Sequence, residues 1–310
     1  MKAGFPLTNS AISSTIPSES TARLVLGTAQ LGTDYGIANR TGRPDTEEAE
    51  NMLERAWRGG VRLLDTAPAY GDSEAVIGGF LESHSECSFA VISKLDPVID
   101  LANADAVKAA VLQSCDRIGQ PLEGVLLHNA AALAVGGGEA LRHCVDNGLT
   151  AAAGVSVYTP EEFRAALDED VIDIIQAPYN ALDRRLHDEG LLKQAADAGN
   201  RVFLRSAYLQ GLLLIEPDTL PRTMAFAATT IANWQALCAD HGLSPLQGAL
   251  GFVRATAPEA WVVIGCESEA QVDETLAATK MEPPDGSFLA AVEALQADNP
   301  SIIDPRTWTR

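Results

Sequence analysis

"VRLLDTAPAYGDSEAVIGGFLES" runs from Val61 to Ser83. A short apolar run stops at Asp65, a loop of small residues carries Tyr70, and a helical segment follows near 73–83. An apolar run that does not alternate with polar residues suits a strand buried on both faces. Parallel sheets need such strands, because their crossover helices cover both sides. One strand followed by one helix is a single βα unit, so the fold turns on whether the unit recurs.

It recurs along the whole chain. "LVLG" (24–27) precedes a segment at 46–59 in which Ala49, Met52, Leu53, Ala56 and Trp57 fall on one helical face. Asp45 and Glu48 stand as a capping box before it. "FAVISK" (89–94) precedes a helix near 103–118, and "GVLLH" (124–128) one near 139–147. "AAAGVS" (151–156) precedes a helix opening at Thr159, with Pro160 at the first helical position and Glu162 at the third. "VIDIIQ" (171–176) precedes one near 185–198, and "RVFLRS" (201–206) precedes segments near 226–240 and 245–256. "WVVIG" (261–265) precedes 269–279, capped by Ser268, and an extra helix is expected at 288–295. Eight βα units imply an α/β protein with a (β/α)8 TIM barrel. A doubly wound sheet is the runner-up, but "GTAQLG" after the first strand lacks the third glycine of a dinucleotide fingerprint. No linker interrupts the pattern. The expectation is a flexible N-terminal extension at 1–22, one barrel domain at 23–297 and a C-terminal tail at 298–310.

The 310 residues suffice to bury roughly three quarters of the unfolded surface. With 42 acidic and 22 basic residues the net charge is −20, a field that repels nucleic acid and anionic membranes. Five dispersed cysteines (Cys87, Cys115, Cys144, Cys238, Cys266) form no CxxC and read as reduced thiols. The first twenty residues hold no apolar core of a signal peptide, and no run is long enough to span a bilayer. A cytoplasmic protein with a small-molecule partner is expected.

In a barrel the C-terminal ends of the strands form the functional face. Those ends read Asp65, Lys94, His128, Ser156, Gln176, Ser206 and Gly265, polar residues closing apolar runs. A tyrosine is a feeble acid, with an ordinary pKa of about 10, until a positive charge stabilises its phenolate. Lys94 can supply that charge to Tyr70, Asp65 can anchor the lysine, and His128 can orient a substrate oxygen. Such a set suits protonation of an oxygen while hydride arrives at carbon.

These motifs resemble the aldo-keto reductases over roughly Leu24 to Thr279. The likeness rests on "LGT" (26–28), "LLDTAPAYGDSE" (63–74), "ISK" to Lys94, "LLH" to His128, "GVS" to Ser156, "QAPYN" from Gln176, "LQGLL" (209–213) and "VIG" to Gly265. The resemblance implies a catalytic tetrad of Asp65, Tyr70, Lys94 and His128, and a nicotinamide cofactor, NADP(H) or NAD(H), over the barrel mouth. It places the carboxamide at Ser156 and Gln176, and the pyrophosphate near Ser206, Leu209 and Gly211. The adenosine end falls at Gly265 and the helix opening at Ser268, with Glu267 and Gln271 beside it. Gly27 and Thr28 of "LGT" join the cofactor set. The substrate implied is a small carbonyl compound.

Three departures stand out. Val157 follows Ser156 where the family often has asparagine. Arg205 takes the place of a tyrosine that stacks on the nicotinamide, and a guanidinium can stack as well. Glu267 stands where NADPH users place a cation. The preference for NADPH is therefore weak at best, with NADH accepted or preferred, unless Lys280, Arg254 or Arg205 reaches the phosphate. The polar loop "QLGTDYGIANRTGRP" (30–44) favours a hydroxylated, sugar-like carbonyl compound. His84, His143, His187 and His241 read as surface or structural residues, "GGG" (136–138) as a loop, and Cys266 as a bystander thiol. Two other functions compete: a cofactor-holding regulatory subunit without useful turnover, and a barrel aldolase using Lys94 for a Schiff base.

Overall fold

The computed structural model describes residues 23–295 and 299–308. The lead-in expected at 1–22 lies outside the described residues, as do residue 298 and the last two positions of the tail. Eight parallel strands close into a barrel in sequence order. They are β1 (Leu24–Gly27), β2 (Leu63–Asp65), β3 (Ala90–Leu95), β4 (Leu122–Leu127), β5 (Thr150–Ser156), β6 (Ile174–Pro178), β7 (Arg201–Arg205) and β8 (Trp261–Gly265). Around them lie α1 (Ala29–Gly32), α2 (Thr46–Arg58), α3 (Ser73–Ser83), α4 (Ala104–Ile118), α5 (Gly137–Asp146), α6 (Pro160–Leu167), α7 (Arg185–Asp188), α8 (Leu191–Ala198), α9 (Ala228–Asp240), α10 (Pro245–Thr256), α11 (Glu269–Thr279) and α12 (Gly286–Ala294). No described helix is long and apolar enough to cross a membrane.

Each strand sends one buried side chain into the barrel: Val25, Leu63, Ile92, Leu126, Ala152, Ile174, Phe203 and Val263. The opposite faces pack on the helices in a second, larger core. This two-sided burial is why the strands are uniformly apolar. Phe203 is the largest plug of the interior and stacks on Trp261 with ring centroids 5.8 Å apart. Phe203→Ala should cost about 3–5 kcal/mol in denaturant unfolding, because a closed barrel cannot collapse into the hole. A cost under ~1 kcal/mol would show that the interior repacks.

Several boundaries follow from caps. Asp45 accepts from the Glu48 backbone N–H at 2.9 Å, which starts α2. Thr159 and Glu162 form the full reciprocal box at α6. The helix expected over 185–198 is broken into α7 and α8, because Gly190 takes the left-handed conformation (φ 69°) and ends the right-handed turn. β6 begins three residues later than the apolar run, because Ile172 donates to the Glu169 carbonyl in a turn. His128 stands just past β4 rather than on it. The C-terminal segment packs back on the barrel: Ile302 is buried, Trp308 bonds the Ser301 carbonyl at 2.7 Å, and Arg306 lies 4.2 Å over the Tyr158 ring.

Candidate active site

The ladder brings the strand ends to one rim, with Gly27 beside both Asp65 and Gly265, and Ser156 beside Gln176. Asp65 and Lys94 are both buried there. Lys94 Nζ donates to Asp65 Oδ1 at 2.7 Å and to the Thr66 carbonyl at 2.9 Å. Gln176 Nε2 donates to the same carboxylate oxygen at 2.8 Å. Burial alone pulls the Lys94 pKa down, but Asp65 and then Tyr70 outweigh it and the net shift is upward. A lysine held as an ammonium by Asp65 is a poor amine nucleophile, which disfavours a Schiff base.

The loop from β2 to α3 is pinned by hydroxyls. Ser73 Oγ lies 2.7 Å from Thr28 Oγ1 and 3.0 Å from Thr66 Oγ1, and Thr28 Oγ1 donates to the Asp65 carbonyl at 3.0 Å. Glu74 at the start of α3 accepts from Ser93 at 2.6 Å and from Arg117 at 3.0 Å. Gly71 has φ 59°, and a Cβ there would stand 2.4 Å from the Gly32 carbonyl oxygen, so this turn requires glycine. Thr66, Gly71, Ser73 and Glu74 thus hold the loop that presents Tyr70.

Tyr70 lies over the ion pair. Lys94 Nζ is 5.0 Å from its ring centroid, and the His128 ring meets it edge-on with centroids 6.0 Å apart. Burial raises the Tyr70 pKa and Lys94 pulls it back part of the way, so the phenol stays protonated at neutral pH. Burial, reinforced by Lys94, lowers His128 to about 4, so that ring is neutral. Its Nδ1 is buried without a hydrogen-bond partner.

From this corner a cleft of about 320 Å³ runs across the rim to Glu267, Gln271 and Glu274. Gly27, Thr28, Gln176, Arg205, Ser206, Gly211 and Gly265 also line it, together with Asp65 and Tyr70. Ser156, Leu209 and Lys94 are buried outside its wall, and His128 flanks Tyr70. Val157, the residue at the position where the family often has asparagine, is buried, and its carbonyl accepts from Arg205 at 3.0 Å. The Cys266 thiol near the far end is buried and its pKa is pushed up to about 12, which suits a bystander.

Two features of the cleft suit an elongated, polar ligand. After β7, Ser206 (φ 63°), Leu209 (φ 51°) and Gln210 (φ 54°) take left-handed backbone. Each non-glycine residue so placed costs on the order of 1–3 kcal/mol, strain that collects at ligand loops. Tyr208 lines the cleft, with its buried hydroxyl beside Thr275, another polar residue of the wall. A nicotinamide dinucleotide fits this shape and chemistry.

Sequence patterns did not single out Gln30, Tyr35, Gly36, Ala38, Tyr208, Gln210, Glu274 or Thr275 as wall residues. Part of the polar loop 30–44 lines the cleft near Glu267, where the Ile37 N–H donates to the Gln210 carbonyl at 3.1 Å. Gly36 (φ 107°) comes close to Glu267 there, with a would-be Cβ 3.1 Å from Oε1. The readable signal was Gly36 among polar residues. Tyr208 carried none, since its register in the loop depends on the left-handed turns.

Residues 23–297 match the model of the Aldo/keto reductase family. The chain is 25% identical over 319 residues to an NADH-specific methylglyoxal reductase of Escherichia coli, covering 89% of this chain and 95% of that protein. It is 25% identical over 328 residues to a D-threo-aldose 1-dehydrogenase of a Pseudomonas species, covering 91% and 98%. Among solved structures it resembles the holo form of aldo-keto reductase AKR11C1 from Bacillus halodurans. That match has a TM-score of 0.73 at 20% identity, over 90% of this chain and 93% of the other.

Proposed function

The chain belongs to the aldo/keto reductase family, and on that premise we propose the division of labour at its rim and the cofactor it prefers. It is an NAD(P)H-dependent oxidoreductase that reduces an aldehyde or ketone to an alcohol. The reduced nicotinamide supplies the hydride. Tyr70 gives its phenolic proton to the carbonyl oxygen. Lys94, charged and fixed on Asp65, stabilises the phenolate left behind. Neutral His128 orients the same oxygen through Nε2, since its Nδ1 is buried. Gln176, whose amide N–H is committed to Asp65, offers its carbonyl to the carboxamide. The observation that carries this reading is the buried Lys94–Asp65 pair 5.0 Å from the Tyr70 ring at one end of the cleft. The test is NADH and NADPH oxidation with a panel of small hydroxylated aldehydes and ketones; no turnover across the panel would overturn it. The names of the methylglyoxal and aldose relatives favour small oxygenated carbonyl compounds as the class.

The preferred cofactor is NADH. The far end of the cleft carries Glu267 and Glu274, and Arg205 at the opposite end is the one cation among its described lining residues. The N-terminus of α11 favours a phosphate by about 0.3–1 kcal/mol. A carboxylate some 4–6 Å from that phosphate costs roughly 1–4 kcal/mol at intermediate dielectric, so repulsion wins. Burial also raises the Glu267 pKa, yet an acidic residue there can still accept from ribose hydroxyls. Glu267→Arg should move the NADPH-to-NADH ratio of kcat/KM at least ~10-fold toward NADPH. A strong wild-type preference for NADPH, unmoved by the substitution, would show that Glu267 does not face the ribose.

A further inference from the structure

Arg205 carries a positive charge with no acidic partner among the described residues. Its guanidinium donates to the Val157 carbonyl at 3.0 Å, lies 3.4 Å from Ser206 Oγ and rests 4.1 Å over the Tyr158 ring. Among the described residues no carboxylate stands within ion-pair distance of it, whereas Arg306 over the same ring is paired with Asp304 at 2.8 Å. Nor does a nearby pair cancel it: Lys94 is already matched by Asp65. Burial raises the Tyr70 pKa and, with Lys94, lowers that of His128; Arg205 is a small lowering influence on both, so its field reaches that corner.

The place of the reacting ring follows from the reaction. Proton donor and hydride donor must reach the two atoms of one carbonyl group. A nicotinamide bound in the cleft would have to reach the Tyr70–Asp65–Gln176 corner, and Arg205, on the strand next to that of Gln176, lines the same cleft. A nicotinamide bound there would be neutral in its reduced form and cationic once it had given a hydride to substrate carbon, with Tyr70 supplying the proton to the oxygen. A fixed cation in that wall repels the second state and not the first.

We infer that Arg205 discriminates the cofactor's redox states by charge, holding the neutral dihydronicotinamide and weakening the hold on the nicotinamide cation. The inference rests on the proposed nicotinamide reading of the cleft. It gives the protein selectivity for NADH over NAD⁺ and eases departure of the oxidised product. Tighter hold on the reduced form also raises the potential of the bound couple, so the on-enzyme equilibrium shifts toward NADH and the carbonyl compound while the oxidised cofactor leaves more readily. The competing role is an anchor for an anionic substrate. Titration separates the two roles, since only the cofactor role changes the ratio of NADH to NAD⁺ affinity.

The experiment is fluorescence and calorimetric titration of the full chain with NADH and with NAD⁺, for wild type, Arg205→Gln and Arg205→Lys. Wild type should bind NADH at least ~10-fold more tightly than NAD⁺ at low ionic strength, allowing for solvent screening at a partly exposed site. For a two-electron couple that factor is about 30 mV. Arg205→Gln should lose most of the factor and Arg205→Lys should keep most of it. Equal affinities in wild type would overturn the inference, even if the glutamine variant failed to fold. So would a ratio unmoved by Arg205→Gln with only the KM of anionic carbonyl substrates raised, which is the substrate-anchor result. A fall in Arg205→Lys as large as in Arg205→Gln would assign the effect to the guanidinium's contacts and reject charge. If wild type binds neither NADH nor NADPH, the nicotinamide reading itself fails; binding of both redox states without discrimination defeats this inference alone.

Discussion

Tyr70→Phe should leave NADH binding intact and lower kcat for carbonyl reduction by at least ~100-fold, the usual scale for a positioned general acid. The ring and its edge contact with His128 remain, so only the hydroxyl is tested. Stopped-flow single turnovers separate the chemical step from cofactor release. Because burial raises the Tyr70 pKa, the phenol stays protonated through neutral pH, and the wild-type rate should not fall from Tyr70 ionisation until pH exceeds the ordinary tyrosine value of 10.0. A phenylalanine variant with near-normal single-turnover rates would remove Tyr70 from the mechanism.

Lys94→Met should lose both activity and stability. Lys94 lowers the Tyr70 pKa, so its removal makes the phenol a still weaker acid when the oxygen needs the proton. The substitution also strands Asp65, 4% exposed, with Gln176 as its remaining side-chain donor. Stranding one member of a buried pair costs about 3–5 kcal/mol. The Lys94 pKa is raised in the fold, so the pair's contribution is fully present below the ordinary lysine value. It is lost only as pH climbs through the raised folded value. Thermal melts at neutral pH check the loss of stability. Adding Asp65→Leu should restore much of the stability and none of the activity. Activity surviving in that double variant would show that the pair does not tune Tyr70.

The barrel was legible because its signals are local. Uniform apolar runs of four to six residues separated by 3.6-period segments encode strand and helix through burial of both strand faces and one helix face. Caps such as Thr159–Glu162 and Ser268 marked helix starts because they act within three residues. The break at Gly190 was harder to read, since a glycine inside an apolar pattern does not announce a left-handed backbone.

The site divides along the same line. Asp65, Tyr70, Lys94 and His128 could be named from sequence because a parallel barrel carries every strand end to one rim, so position along each strand gives position in space. Contacts between distant loops had no such rule. Gln176 binds Asp65 across 111 positions of chain, the loop at Ile37 meets Gln210, and Arg205 comes to rest on Tyr158 beside a tail arginine. Ser156 and Gln176 are ladder neighbours at one rim, yet only Gln176 lines the cleft. The sequence by itself determined the barrel and the residues at its rim, because periodicity and caps act over a few residues. Which rim residues share a wall, and what charge that wall carries, was decided by the tertiary structure, where side chains far apart in the chain compete for the same partners and space.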